Sequence, residues 1–256
     1  MALTKTAIPY LTRVFGAARG CSMGCPYCST ARWSHRLACP KCRACEVHFH
    51  EERLGDPASA KKPQVIGVSF YDELWDPLRP DLDILRVLAA CDAAPQHRYV
   101  FLTKRPERVD ERIAELFGRH KNWWLGVTVT GGETSDREAR ACSILAYVWT
   151  RKGIRTWLSL EPWWGGREPA TLNEAIAASE FTVIGSQSGG SPVEPGVQEA
   201  LMSLFWDVFS RCRHYLRPVY VKQVWVNGRC SRDPGQWPEG LRVWQLPEEW
   251  AAIKKG

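Results

Sequence analysis

The stretch GCSMGCPYC, residues 20–28, places three thiols in eight consecutive residues, at Cys21, Cys25 and Cys28. A structural zinc site has four protein ligands and no open coordination position, and ferredoxin-type iron–sulfur clusters also have four thiolate ligands. A set of three thiolates leaves one coordination position open, which suits a small-molecule ligand. The spacing C-x3-C-x2-C therefore favours an inorganic centre that performs chemistry over a zinc knuckle or a chance cluster.

The composition indicates a globular protein with a sizeable core. The chain has 256 residues, of which 45% are hydrophobic and 24% charged, and its net charge of +6 permits a polyanionic partner without requiring one. No apolar run approaches membrane-spanning length and the N-terminus lacks a signal-peptide core, so we expect a cytoplasmic protein. In that reducing compartment clustered thiols indicate metal ligands before disulfides. The scattered cysteines are expected to be inert: Cys91, Cys142, Cys212 and Cys230.

Short apolar runs alternate with segments of helical periodicity over most of the chain. The predicted strands cover residues 11–17, 64–70, 98–104, 123–129, 155–162, 181–187 and 218–224. The predicted helices between them cover 81–94, 106–120, 133–153 and 194–216, and the first is expected to place Leu82, Leu85, Val87, Leu88 and Cys91 largely on one side. Repeated strand–helix units favour parallel pairing with right-handed crossovers. The prediction is an α/β fold, a partial (β/α)6-type barrel over 1–225 with a Cys/His-rich insertion at 30–55, followed by an extension at 226–256.

Polar residues cluster where the predicted strands end, which is where parallel α/β folds bind ligands. The members of this polar rim are Ser69, Tyr71, Asp72, Thr103, Lys104, Arg105, Thr128, Thr130, Glu133, Ser159, Glu161, Ser186, Gln187, Ser188, Lys222 and Gln223. Each alone could be a turn former or a helix cap. Together they predict a ligand site along this edge.

The three-cysteine stretch, with Tyr27 before the last cysteine and a strand before the loop, resembles the signature of the radical S-adenosylmethionine (radical SAM) enzymes. The resemblance implies that Cys21, Cys25 and Cys28 ligate three irons of a 4Fe–4S cluster and that S-adenosylmethionine chelates the fourth. One electron from the cluster would then cleave a C–S bond of the sulfonium, giving methionine and a 5′-deoxyadenosyl radical that abstracts a substrate hydrogen. It also implies an electron donor such as flavodoxin or ferredoxin.

Further segments resemble a phage- and plasmid-associated radical SAM-like family that is similar in outline to the spore photoproduct lyases. They are VFLTKRPERV (100–109), WWLGVTVTGGE (123–133), TWLSLEPWWG (156–165), VIGSQSGG (183–190) and VYVKQVW (219–225). Two stretches depart from the expected pattern. SFYDELW (69–75) stands in place of an SMSDLF-like stretch, and GSQSGG has Gln187 where a glutamate is typical.

The resemblance and the rim positions together suggest roles for individual residues. The Tyr27 backbone is expected near adenine, and Ser69 and Asp72 near the methionine amino group. Lys104 suits the methionine carboxylate by charge, and Thr128 or Ser159 the ribose hydroxyls. The residues expected to face substrate are Glu161, Gln187 and Lys222. For each of these residues a structural hydrogen bond at the rim is the alternative interpretation.

A second thiol group follows in CPKCRACEVHFH, residues 39–50. Two C-x2-C steps followed by histidines predict a zinc site, most simply Cys39, Cys42, Cys45 and either His48 or His50. The same run is also compatible with an auxiliary iron–sulfur cluster. In the resembling family a histidine precedes a Glu-Arg-Leu stretch, so His50 has an alternative role unrelated to metal.

The sequence thus favours a radical SAM enzyme that acts on a nucleobase, in DNA or as a nucleotide, through rearrangement, lyase or modification chemistry. Radical modification of an amino acid or peptide is the alternative within enzymes. The alternative from another class is a non-catalytic, zinc-stapled nucleic-acid-binding protein, which would leave the polar rim unexplained.

Overall fold

The computed structural model describes residues 3–132, 135–188 and 192–255. The chain divides into two compact units, Met1–Leu125 with Glu248–Gly256, and Gly126–Pro247. Of the residues singled out from the sequence, Glu133, Gly189 and Gly190 lie outside the described ranges. No helix in those ranges is long and apolar enough to cross a membrane.

The first unit contains β1 to β6, the start of β7, five helices and the C-terminal helix. Its elements are β1 Thr4–Lys5, β2 Arg13–Phe15, β3 Ala18–Arg19, α1 Ser29–Trp33, α2 Pro40–Arg43, β4 His48–Phe49, α3 Asp56–Ser59, β5 Val65–Val68, α4 Asp81–Asp92, β6 Arg98–Thr103, α5 Glu111–Arg119, β7 Trp123–Thr128 and, at the C-terminus, α9 Glu248–Lys255. Strands β2, β5 and β6 pair in parallel, with Val14 opposite Gly67 and Ile66 opposite Tyr99. The edge strand β1 and the small β3–β4 ladder are antiparallel.

The second unit continues the alternation of strands and helices. Its elements are α6 Ser135–Ser143, β8 Arg155–Leu160, α7 Leu172–Ala178, β9 Phe181–Gly185, α8 Pro195–His214, β10 Val219–Val226 and β11 Arg229–Ser231. A π-helical stretch, Ile144–Trp149, directly follows α6. Strands β8, β9 and β10 pair in parallel, and β11 returns antiparallel along β10.

The predicted mixed α/β class with mostly parallel strands is confirmed. Each of the seven predicted strands overlaps an observed strand, and β5, β7 and β9 are buried along their whole length, as strands covered on both faces require. Within each unit the described strands form an open series and do not close on themselves.

Aromatic side chains fill much of the first unit's core. Phe101, Phe117 and Trp123 meet with ring centroids 4.8 to 5.6 Å apart, tilted or edge to face. Helix α4 supplies Ile84, Val87, Leu88 and Cys91 to the core. The prediction that Leu82 and Leu85 share that face is wrong, because both leucines are exposed and the inward position one turn before Leu88 belongs to Ile84.

Candidate active site and second metal-ligand group

Residues 20–28, the three-cysteine loop, follow β3 and are fixed by backbone contacts. Gly20 has a φ of +85°, and a Cβ there would lie 1.8 Å from the Glu46 carbonyl oxygen, so only glycine fits. The Gly20 amide donates to Asp72 Oδ1 at 2.6 Å, and the Ser22 amide donates to Asp76 Oδ2 at 2.6 Å. The loop is thus tied to two carboxylates of the segment after β5.

The three thiols of the loop are each partly exposed. Cys21 Sγ accepts a hydrogen bond from the Met23 amide and Cys28 Sγ one from the Ala31 amide, both at 3.4 Å, and Cys28 caps α1. Burial raises the pKa of the Cys21 thiol to about 12, so metal binding there displaces a proton. Amide donors directed at two of the sulfurs and partial exposure of all three thiols fit a cluster held by three thiolates.

Lys104 directly follows β6 and reaches the loop. Its Nζ lies 3.6 Å from Cys25 Sγ and 4.1 Å from the Tyr27 ring centroid, and it donates a hydrogen bond to the Tyr27 hydroxyl. The structure therefore brings together a loop thiol, the aromatic residue before Cys28 and the predicted carboxylate-binding lysine. Only the Tyr27 side chain takes part in these contacts, whereas the sequence interpretation concerned its backbone.

The segment after β5, residues 69–76, supports the loop. Ser69 has a φ of +53°, and its hydroxyl is buried with no hydrogen-bond partner among the described residues, which fits a ligand group at that point. Asp72 is bonded to the Gly20 amide and pairs with Arg19 at 3.0 Å, while burial raises the pKa of its carboxyl. These contacts hold the loop, and the predicted contact of Asp72 with an amino group stays a prediction.

Three supporting residues were missed from the sequence: Glu73, Asp76 and Arg79. Glu73 is buried and accepts from Thr103 Oγ1 at 2.7 Å and from the Lys104 amide at 2.9 Å, and burial raises its pKa. The buried Arg79 donates to the carbonyls of Arg19, Gly20 and His48. The sequence signal for these residues was a run of acidic residues directly after a buried strand. Such a run more often forms a solvent-exposed turn, so it did not indicate buried support for the loop.

The second unit holds the other predicted site residues. Lys222 Nζ lies 2.5 Å from Glu161 Oε1, with both side chains mostly buried, and Gln223 donates to the same oxygen at 3.4 Å. Gln187 is separate from this pair and accepts from Trp164 Nε1 at 3.1 Å. Thr128 and Ser159 are buried, and the Ser159 carbonyl accepts from the residue that follows Thr128.

Residues 39–50 form the only single-ion ligand group found in the described parts of the chain. One ligand atom each from Cys39, Cys42, His48 and His50 lies within 4.8 Å of all the others. Cys45 is not in the group: its backbone has a φ of +55° and its carbonyl accepts from the Cys21 amide at 3.1 Å. The loop thiols are also outside this group.

Solved structures show the fold class that these units define. SuiB of Streptococcus suis, solved bound to its precursor peptide SuiA, is 12% identical with a TM-score of 0.53 over 81% of this chain and 48% of its own. A double mutant of spore photoproduct lyase, solved with AdoMet and dinucleoside spore photoproduct, is 10% identical with a TM-score of 0.55 over 86% of this chain and 78% of its own. Both are radical SAM enzymes, so the chain has a radical SAM fold, and it spans about half the length of SuiB.

A family model places the chain more narrowly. Residues 5–227 match the family described as protein of unknown function, DUF5131, and the chain belongs to that family. No curated protein matches it in sequence.

Proposed function

We propose that this protein is a radical SAM enzyme in which Cys21, Cys25 and Cys28 hold a 4Fe–4S cluster. The observation that carries the proposal is the three-cysteine loop, whose thiols stay accessible while its backbone is fixed by Asp72 and Asp76. When bound, such a cluster supplies the electron that cleaves S-adenosylmethionine to methionine and a 5′-deoxyadenosyl radical. The radical SAM fold supports the same activity.

The chain's own residues then bind and orient the small molecule. Lys104 carries its ammonium beside Cys25 and Tyr27, where it would pair with the methionine carboxylate. The unpartnered Ser69 hydroxyl would bond a polar group of the same methionine. Thr128 and Ser159 are proposed for the ribose hydroxyls. The buried Glu73 carboxylate accepts a hydrogen bond from the backbone amide of Lys104 and so fixes the backbone of the lysine. The ammonium of Lys104 is not used in this contact.

For substrate we propose a nucleobase, in DNA or as a nucleotide, faced by Glu161, Gln187 and Lys222. The net charge of +6 permits a polyanion, and the spore photoproduct lyase structure holds a dinucleoside lesion. A reduced flavodoxin or ferredoxin is the proposed electron donor. The SuiB structure, bound to a precursor peptide, supports a peptide substrate as the second candidate.

The test is anaerobic turnover with dithionite, S-adenosylmethionine and an oligonucleotide with deuterated thymidines. We expect 5′-deoxyadenosine, and deuterium within it when the oligonucleotide is the hydrogen donor. Cys25→Ala is expected to abolish the product, whereas Cys142→Ala, which removes a buried thiol outside the loop, retains it. Absence of 5′-deoxyadenosine from a cluster-loaded protein would contradict the enzyme proposal. Unlabelled product would contradict this nucleobase substrate alone.

A further inference from the structure

The second ligand group, Cys39, Cys42, His48 and His50, is built from two short elements. Cys39 precedes α2 and Cys42 lies within it, while His48 lies in β4 and His50 directly follows that strand. The two thiols thus come from one turn of helix and the two imidazoles from the same face of one extended segment, because residues two apart on a strand share a face. This is the C-x2-C and H-x-H arrangement of a two-cysteine, two-histidine site.

Hydrogen bonds determine which ring nitrogen of each histidine carries the proton. His48 Nδ1 lies 2.7 Å from the Glu46 carbonyl oxygen, and His50 Nδ1 lies 2.8 Å from Glu52 Oε1. A carbonyl and a carboxylate only accept, so both Nδ1 atoms carry hydrogen and each neutral ring presents a lone pair at Nε2. This carbonyl- or carboxylate-oriented imidazole is the usual support of a histidine that binds metal through its other nitrogen.

The two Nε2 atoms face each other at 3.1 Å. Two lone pairs at that distance repel, so a cation between the rings, a metal ion or a proton, stabilises this arrangement. Cys42 Sγ lies 3.3 Å from His48 Nε2 and 3.4 Å from His50 Nε2, and Cys39 Sγ lies 3.7 Å from His48 Nε2. Four electron-pair donors therefore converge on one point.

Four of the six ligand-to-ligand spacings match the edges of a tetrahedron around zinc. Bond lengths of about 2.3 Å to sulfur and about 2.0 to 2.1 Å to nitrogen give sulfur–nitrogen edges of about 3.5 Å and nitrogen–nitrogen edges of about 3.3 Å. Three sulfur–nitrogen spacings are 3.3 to 3.7 Å and the nitrogen–nitrogen spacing is 3.1 Å, while all four ligand atoms lie within 4.8 Å of one another. We propose that Cys39 and Cys42 through Sγ, and His48 and His50 through Nε2, bind one zinc ion.

The same spacings argue against an auxiliary iron–sulfur cluster. In a 4Fe–4S cluster each ligand binds its own iron, and in a Rieske centre the cysteines and histidines bind different irons, so sulfur and imidazole stand well apart. Here both histidines contact Cys42 directly. A mixed sulfur and imidazole set in tetrahedral order suits zinc. Cys45, expected from its spacing to be a ligand, is replaced by the second histidine.

The zinc site would stabilise the segment that the start of the three-cysteine loop packs against. Arg19 pairs with His48 across the β3–β4 ladder, and the Cys21 amide donates to the Cys45 carbonyl, three residues beyond Cys42. Arg79 links the His48 and Gly20 carbonyls. Fixing Cys42 and His48 therefore fixes the segment on which the start of the loop rests. Zinc binding itself does not depend on the proposed enzyme activity.

The experiment measures zinc per chain in the variant with Cys21, Cys25 and Cys28 all replaced by alanine, so that the loop thiols cannot contribute. We expect about one zinc per chain, as for a closed four-ligand site. Adding Cys39→Ser with Cys42→Ser, or His48→Gln with His50→Gln, is expected to remove it. Cys45→Ser is the matched control and is expected to retain it.

X-ray absorption at the zinc edge of the wild-type protein needs no variant and covers the case in which a variant fails to fold. Two sulfur and two nitrogen ligands are expected. Four sulfur ligands, absence of zinc from the loop variant, or loss of zinc in Cys45→Ser with retention in the histidine variant would overturn the proposal. None of these readouts depends on cleavage of S-adenosylmethionine, so the two proposals fail separately.

Discussion

At the scale of single residues, Lys104 connects the scaffold to the site. Its backbone amide is held by the buried Glu73 carboxylate, while its ammonium reaches Cys25 and Tyr27. The residue that follows β6 is thus fixed through its backbone and contacts the three-cysteine loop through its side chain. The sequence identified Lys104 by its place after an apolar strand, but Glu73 was hidden in an acidic run that resembles a turn.

Lys104→Met is expected to weaken S-adenosylmethionine binding roughly 10- to 100-fold, because one hydrogen bond to a charged group contributes about 1.5 to 3 kcal/mol. Iron content should stay unchanged, since the lysine is not a ligand. Equilibrium binding of S-adenosylmethionine to the anaerobic, cluster-loaded protein measures the effect. Lys62→Met, at an exposed position, is the control. Equal affinity of both variants for S-adenosylmethionine would contradict a role of Lys104 in binding it.

At the scale of elements, the three-cysteine loop depends on its close approach to the segment after α2. The sequence predicted the loop's thiols and the strand at 11–17 before them, because apolar runs and cysteine spacing are local signals. It did not predict that Gly20 lies against the Glu46 carbonyl. That contact joins residues far apart in the sequence, and hydrophobic periodicity carries no information about it. Cysteine spacing also did not indicate that Cys45 lies outside the group of converging ligand atoms, because the direction of the backbone decides that.

Gly20→Ala is expected to disrupt the loop, because its Cβ would lie 1.8 Å from the Glu46 carbonyl oxygen. Gly24→Ala is a matched control: its φ of +63° is also left-handed, but a Cβ there meets nothing within 4 Å, so only about 1 kcal/mol of backbone strain results. Iron bound per chain after anaerobic reconstitution checks the comparison. We expect a strong loss for Gly20→Ala and near wild-type loading for Gly24→Ala, and equal loading would contradict the role given to this contact.

At the scale of the whole molecule, the residues singled out from the sequence fall into two groups, one in each compact unit. The first unit holds the thiols, Lys104 and Ser69, and the second holds the Glu161–Lys222 pair with Gln187, Thr128 and Ser159. Strand–helix alternation predicted both sets of parallel strands, because periodicity reports burial directly. No sequence pattern indicated the division between the two compact units, which falls at Leu125 and Gly126 within β7. The predicted boundary between the barrel domain and the C-terminal extension, at 225 and 226, stays a prediction.

The most direct test of the central claim is the iron and sulfide content of anaerobically reconstituted protein. We predict about four irons and four sulfides per chain, lost when Cys21, Cys25 and Cys28 are replaced by alanine. The double variant Cys39→Ser with Cys42→Ser, which lacks the proposed zinc ligands, is expected to retain them at a lower yield. A colourless wild-type protein that holds only zinc would contradict the account and favour a zinc-stapled nucleic-acid-binding protein.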